Sequence, residues 1–173
     1  TKGLFQEFGS QRVIDTPICE LGFTGASVGA SATGCRAVAD LMLGDFLFEA
    51  GGQIVLQGAK LRYMSNGQVS VPMIVRAGMG AVKNAGPHHS GCYYPVWAHA
   101  PGLIVAVPSN PADAKGLFKT ALRAGDPVIF LFLGGFALAA GLQRQGLDRW
   151  LAGLVMRQAG ADFGRAVRWL FWL

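Results

Sequence analysis

The chain has 173 residues, of which 51% are hydrophobic and only 14% charged, and its formal net charge is +5. This length fits one domain with a sizeable apolar core. Residues 1–130 carry a net charge of +2 and the last 43 residues carry +3, so the excess positive charge belongs to the C-terminal segment. Because no basic run interleaved with aromatic residues occurs in the first 130 residues, the composition argues against a nucleic-acid-binding protein.

The three cysteines, Cys19, Cys35 and Cys92, form neither a close pair nor a metal-ligand spacing. An odd number of cysteines without a signal-peptide pattern is typical of reduced thiols. The sequence therefore predicts no metal site and a location in the cytoplasm, or in the mitochondrial matrix of a eukaryote.

The first long helix is predicted to begin shortly after a strand that ends at residues 12–14. Thr16 suits the N-cap, Pro17 suits the first helical position, and Glu20 places an acid near the positive end of the helix dipole. On this spacing alone, Glu20 is an ordinary helix-start acid. The small residues of segment 20–33 favour close approach to a neighbouring helix or a ligand.

The rest of the first 131 residues alternates apolar strand patterns with helical ones, which predicts a parallel α/β sheet. The carboxyl ends of parallel strands carry the functional loops, so Glu20, turn 44–46 and loop 78–90 are expected on one edge. The predicted elements, in chain order, are strand 36–40, helix 46–64, strand 71–77, loop 78–90, helical turn 93–99, strand 103–107, helix 111–124 and strand 128–131.

Three runs of this sequence carry a family resemblance: RVIDTPICELGFTGASVGASATGCRAVADLM, DFLFEAGGQIVLQGAKLRYMSNGQVSVPMIVRAGMG and GPHHSGCYYPVWAHAPGLIVAVPSNPADAKGLFKTALRAGDPVIFL. They resemble the pyrimidine-binding domain in the β subunit of thiamine-diphosphate-dependent 2-oxo-acid dehydrogenases, which include the pyruvate, branched-chain and acetoin enzymes. The resemblance implies a three-layer pyrimidine-binding fold with a parallel sheet over residues 1–133. The activity it implies is oxidative decarboxylation with acyl transfer to a lipoyl group, and RAGMGAVKNAGPHHSGCYYP is most similar to the pyruvate and acetoin branches.

The resemblance gives Glu20 a second interpretation, since it matches the glutamate that hydrogen-bonds a ring nitrogen of the cofactor's aminopyrimidine. A proton shared with that nitrogen favours the imino tautomer, which takes up the thiazolium proton. Phe46 matches the aromatic residue that stacks on this ring; without the resemblance it would be a core residue. His89 matches the active-site histidine near the reacting carbon and the lipoyl group; without the resemblance it would be a solvated surface histidine, as His88 is expected to be.

The resemblance also implies partners, because the chain contains no Gly-Asp-Gly followed by an Asn pair, the family's diphosphate and magnesium motif. In the family that motif lies on an α subunit, so only the pyrimidine half of the site is expected here. An α subunit, a lipoyl acyltransferase core and an oligomeric assembly are the implied partners. The chain is expected to be truncated at both ends relative to the family's β subunits. Loop 121–126 resembles a potassium-binding loop of some members, but Ala124 stands in place of their acid.

Residues 134–173 form an atypical segment that is expected to be helical and does not follow the family. From residue 131 onward the chain uses ten residue types, with five Arg, seven Gly and three of the four Trp. A change of reading frame in a GC-rich gene and a genuinely divergent helix both explain it. The uncharged run 128–142 is shorter than the roughly 20 residues that span a bilayer. The apolar residues at 147, 150, 151, 154 and 155 share a helical face, which either packs on the domain or lies on a membrane surface.

These features leave a second hypothesis of a different class open. The chain would then be a non-catalytic remnant that acts as an oligomerising or membrane-surface module through residues 134–173.

Overall fold

A computed structural model describes residues 3–81 and 85–133, and the predictions for residues 134–173 lie outside these ranges. The described residues form a four-stranded sheet of β1 (Val38–Leu43), β2 (Ile74–Met79), β3 (Ile104–Ala106) and β4 (Val128–Leu133). The strand order is β1-β2-β4-β3, and all three neighbouring pairs are parallel. The predicted parallel α/β sheet is therefore confirmed.

The helical elements connect these strands in chain order. They are α1 (Leu4–Phe8), α2 (Glu20–Ala32), a 3₁₀ turn (Gly44–Leu47), a π-helical segment (Gly52–Gly58), α3 (Leu61–Met64), a second 3₁₀ turn (Pro87–His89), α4 (Tyr94–Ala98) and α5 (Pro111–Ala121). Within the described ranges, none of these helices is long and apolar enough to cross a membrane.

The sheet buries a different helical layer on each face, because side chains alternate along a strand. Ile74, Val128 and Phe130 pack with α5, whereas Val75 and Ile129 pack in a larger core with α2 and the π-helical segment. This arrangement is the predicted three-layer α/β architecture.

The predicted single helix 46–64 was wrong, because the chain instead forms the first 3₁₀ turn, the π-helical segment and α3. In the π-helical segment the Ala59 amide donates to the Ile54 carbonyl five residues earlier, at 2.9 Å. Glycine has low helix propensity, and Gly51 and Gly52 stand where the segment begins. Because local helix propensity is low here, the packing of Ile54 in the larger core sets the geometry of the π-helical segment.

The predicted strand ending at residues 12–14 was also wrong. The amides of Arg12 and Val13 both donate to the Gly9 carbonyl, at 3.2 and 3.0 Å, so the chain forms a turn there. Ile14 is 74% exposed, and no described strand pairs with this segment.

Helix α2 begins later than Thr16 and Pro17 predict, with Cys19 at the N-cap and no side-chain capping bond. The buried side chains of α2 start at Thr24, and Ile18 is 89% exposed. Because no packing stabilises a first turn at Pro17, the helix begins at Glu20.

The other predicted elements exist with shifted ends. β1 begins two residues later than predicted and extends to Leu43, while β2 runs to Met79 and takes two residues from the predicted loop. α5 ends at Ala121 rather than at residue 124. The strand at 103–107 shortens to β3, and β4 continues to Leu133.

Candidate functional site

The candidate site lies where β1 and β2 reach the carboxyl edge of the sheet. β1 leads directly into the 3₁₀ turn Gly44–Leu47, which carries Phe46. β2 ends at Met79, and the amide of Gly80 donates to the carbonyl of Gly91 at 3.0 Å. This bond draws the loop that contains His89 back to the same edge.

Phe46 and His89 are in contact at this edge. Their ring centroids are 5.5 Å apart and their planes meet at 84°, an edge-to-face arrangement. Both residues are half-buried. The structure thus brings together two residues that are 43 positions apart in the sequence.

The first 3₁₀ turn separates a core residue from a site residue. Leu47 is fully buried in the larger core, whereas Phe46 is half-buried and lies outside both core clusters. The apolar anchor of this turn is therefore Leu47, which leaves the Phe46 ring at the sheet edge.

His89 differs from its neighbour His88, which is exposed. The Nδ1 atom of His89 is buried and has no hydrogen-bond partner among the described residues. Buried polar atoms are nearly always paired. An unpaired ring nitrogen beside Phe46 is therefore suited to a polar group of a bound molecule.

Glu20 is the first residue of α2 and is half-buried. Because α2 packs on β1 and joins its beginning through residues 33–37, the connection directs the start of α2 toward the carboxyl edge. Within residues 3–81 and 85–133, its carboxylate makes no hydrogen bond or ion pair. No described contact joins Glu20 to Phe46 or His89.

Asp45 has no role among the sequence predictions beyond lying in turn 44–46, yet its carboxylate Oδ2 accepts a hydrogen bond from the Gly91 amide at 3.2 Å. The signal that was present is its position, since it follows a buried strand directly at the functional edge. Its partner lies 46 residues away, and no local pattern identifies such a pair.

In loop 121–126, which resembles a potassium site, two oxygen atoms accept hydrogen bonds from arginine side chains. Arg36 donates to the Ala124 carbonyl at 2.9 Å, and Arg62 pairs with Asp126 at 2.8 Å. In the part of the chain that the structure describes, no group of three His, Cys, Asp or Glu side chains could hold a metal ion.

Comparison with known proteins identifies relatives of this chain. The profile of the family described as "Transketolase, pyrimidine binding domain" matches residues 1–133. The chain is 48% identical over 131 residues to the pyruvate dehydrogenase E1 component subunit beta of Rhizobium meliloti (strain 1021). It is 49% identical over 130 residues to the acetoin:2,6-dichlorophenolindophenol oxidoreductase subunit beta of Bacillus subtilis (strain 168).

These matches cover 76% and 75% of this chain but only 28% and 38% of the two relatives, so the chain spans well under half of their length. A solved structure titled "Split gene transketolase, inactive beta4 tetramer" is similar in fold, with a TM-score of 0.63 at 18% identity. It aligns with 77% of this chain and 40% of that one.

Proposed function

This chain belongs to the transketolase pyrimidine-binding domain family, and we propose that it supplies the aminopyrimidine half of a thiamine diphosphate site in a 2-oxo-acid dehydrogenase of the pyruvate or acetoin type. The observation that carries the proposal is the contact of Phe46 with His89 at the carboxyl edge, 5.5 Å between ring centroids. The sequence identity of 48–49% to β subunits of these two enzyme types supports it.

The described residues fit the aromatic half of this cofactor. An aminopyrimidine has π faces and ring nitrogens, and the site offers the half-buried ring of Phe46 and the buried, unpaired Nδ1 of His89. Glu20 adds a carboxylate without a described partner at the start of a helix directed toward this edge. When bound, thiamine diphosphate supplies the electron sink that a 2-oxo acid needs in order to lose carbon dioxide.

Each residue has a separate role in the proposal. Glu20 holds a proton at a ring nitrogen of the pyrimidine, which sets the ring's tautomer. Phe46 binds one face of that ring by stacking. His89 would move a proton near the reacting carbon during acyl transfer to a lipoyl group, since an imidazole ring can both donate and accept a proton.

The diphosphate and its magnesium ion belong, in this proposal, to an α subunit. The sequence lacks the family's motif for both groups. Within residues 3–81 and 85–133, no group of His, Cys, Asp or Glu side chains could hold the metal ion. The other proposed partners are a lipoyl acyltransferase core and further copies in an oligomer. We place the protein in the cytoplasm, or in the mitochondrial matrix of a eukaryote.

Reconstitution with a cognate α subunit tests this function directly. We expect release of carbon dioxide from pyruvate, or cleavage of acetoin, from the mixture and from neither component alone. The same α subunit combined with a full-length β subunit from its own organism is the positive control. An inactive mixture beside an active control would count against the proposal.

Calorimetry tests the division of the cofactor between two chains. We expect this chain alone to bind thiamine diphosphate weakly or not at all, because the sequence lacks the family's diphosphate motif and no group of side chains within residues 3–81 and 85–133 could hold the magnesium ion. Tight magnesium-dependent binding to this chain alone would contradict the proposed role of the α subunit.

A further inference from the structure

Gly91 is held between the ends of β1 and β2. Its amide donates to Asp45 Oδ2 at 3.2 Å, and its carbonyl accepts from the Gly80 amide at 3.0 Å. Asp45 lies just beyond β1, and Gly80 lies just beyond β2. The loop after His89 is therefore fastened to two neighbouring strand ends.

The backbone at Gly91 lies so close to Asp45 and to the Tyr93 ring that residue 91 has no room for a side chain. A Cβ atom at Gly91 would lie 2.6 Å from Asp45 Oδ1 and would also collide with the Tyr93 ring. Contact this close means that any displacement of the loop changes the Asp45–Gly91 bond. Hydrogen bonds to an ionised acceptor are stronger than those between neutral groups.

Asp45 does not serve its own turn as a cap. Among the described residues, the Asp45 side chain accepts a hydrogen bond only from the Gly91 amide. Within the turn, the Phe48 amide donates to the backbone carbonyl of Asp45, not to its side chain. An acid that only favoured the start of the 3₁₀ turn would gain nothing from a partner 46 residues away.

We propose that Asp45 is a positioning residue that sets the His89 ring against Phe46 by holding the Gly91 amide. Phe46 follows Asp45 directly, and His89 precedes Gly91 by two residues, so this hydrogen bond, together with the bond from Gly80 to Gly91, constrains the separation of the two rings. The benefit to catalysis rests on the proposed function, in which Phe46 binds the cofactor and His89 moves a proton. The placement of the two rings is a property of the chain itself.

Nuclear magnetic resonance of the full chain measures this placement without cofactor or partner. The chain has three histidines, and His89→Gln assigns the His89 imidazole signals. The ring current of Phe46 contributes to the chemical shifts of these signals, and this contribution is measured as the change in shift between the wild type and Phe46→Leu. We expect Asp45→Ala to lose most of that shift, and Gly91→Ala to do the same because its methyl group would collide with both the Asp45 carboxylate and the Tyr93 ring.

Asp45→Asn is the conservative variant, because its amide oxygen still accepts from Gly91. We expect it to keep most of the shift, which distinguishes a role in position from one that needs the charge. Glu49→Ala removes an exposed carboxylate that has no side-chain partner among the described residues, and should leave the signals unchanged. The signals of His99, which lies outside this loop, are the internal standard in every variant.

An unchanged His89 shift in folded Asp45→Ala would overturn the proposal. If circular dichroism shows that Asp45→Ala and Gly91→Ala do not fold, the proposal is tested on the unsubstituted chain. Slow hydrogen exchange of the Gly91 amide, with a nuclear Overhauser contact to the Asp45 β protons, then supports the proposal. Fast exchange without that contact refutes it.

Acyl-transfer turnover with the α subunit separates this proposal from the function on which it rests. We expect Asp45→Ala to lose turnover in step with the ring-current shift, and Asp45→Asn to retain both. If the shift disappears but turnover of an active complex does not fall, Asp45 still positions His89. The proposed catalytic role of His89 would then be wrong.

Discussion

The sequence predicts helices at 111–124 and 46–64, yet only the first forms one regular helix, α5, whereas residues 44–64 form an irregular stretch. α5 carries its own start signal, because the Asn110 side chain accepts from the Asp113 amide at 2.9 Å and Pro111 is the first helical residue. Residues 44–64 have no such cap and contain adjacent glycines. Their shape depends on distant partners, including Gly91 and the larger core.

The difference connects fold and function. The irregular stretch carries Asp45 and Phe46 at the carboxyl edge, whereas α5 covers the opposite face of the sheet from α2. Departures from local rules are expected near functional sites, where geometry is set by the ligand rather than by propensity. Substitutions near the site should therefore affect activity or tertiary packing, and those in α5 should affect stability without changing the site.

The largest expected effect is that of Glu20→Gln in the reconstituted complex. Glutamine keeps the length and a hydrogen bond but cannot give and take a proton, so turnover should fall by roughly 10²–10⁴-fold. Steady-state kinetics with the α subunit measure this. Glu49→Gln, an exposed acid of the irregular stretch, is the control and should keep full turnover. Wild-type turnover in Glu20→Gln would leave Glu20 with only its place at the helix start.

Leu47→Ala should cause the largest loss of stability among these changes. The side chain is fully buried where the first 3₁₀ turn anchors to the core, so we expect a loss of about 2–5 kcal/mol in the free energy of unfolding. Urea titration monitored by circular dichroism measures it. Leu117→Ala in α5 removes the same atoms from a side chain that is 40% exposed and should cost less than half as much. Equal losses would mean that the irregular stretch is not held by its core contact.

The sequence predicted the sheet, its parallel direction and the start of α5, because alternating apolar runs and a local cap are readable within a few residues. It placed Phe46 and His89 on one edge through their positions after β1 and β2. It could not predict the Asp45–Gly91 bond or the π-helical segment, since both depend on contacts between residues far apart in the chain. The start of α2 was missed because packing near Thr24 outweighed the capping signal at Thr16.

Asn110→Ala tests the local start signal of α5. Removing the capping oxygen should lower stability by about 1 kcal/mol and fray the first turn of α5, since the Asp113 amide loses its partner. Thermal unfolding and amide exchange in this turn are the measurements, and Asn110→Ser, which retains a capping oxygen and places no second carboxylate beside Asp113, should stay close to the wild type. The Phe46-dependent shift of His89 should not move. A change in that shift would mean that α5 and the site are coupled, which would contradict the independence of α5 from residues 44–64.

The smallest expected effects come from replacing two glycines by alanine, one in a regular α-helix and the other in the π-helical segment. A Cβ atom at Gly116 in α5, or at Gly52 at the start of the π-helical segment, would meet nothing within 4 Å. Alanine at Gly116 should raise stability by about 1 kcal/mol, because alanine loses less backbone entropy in a regular helix.

Alanine at Gly52 gains the same entropy but also strengthens the competing α-helical register, which would pull against the π-helical bond from Ala59 to Ile54. We therefore expect a smaller gain at Gly52 than at Gly116, as measured by urea titration of both variants. In the reconstituted complex, Gly116→Ala should leave turnover unchanged, while Gly52→Ala should lower it slightly by shifting the first 3₁₀ turn. If Gly52→Ala stabilises the chain as much as Gly116→Ala does, with turnover intact, the irregular geometry of residues 44–64 is not required by the site.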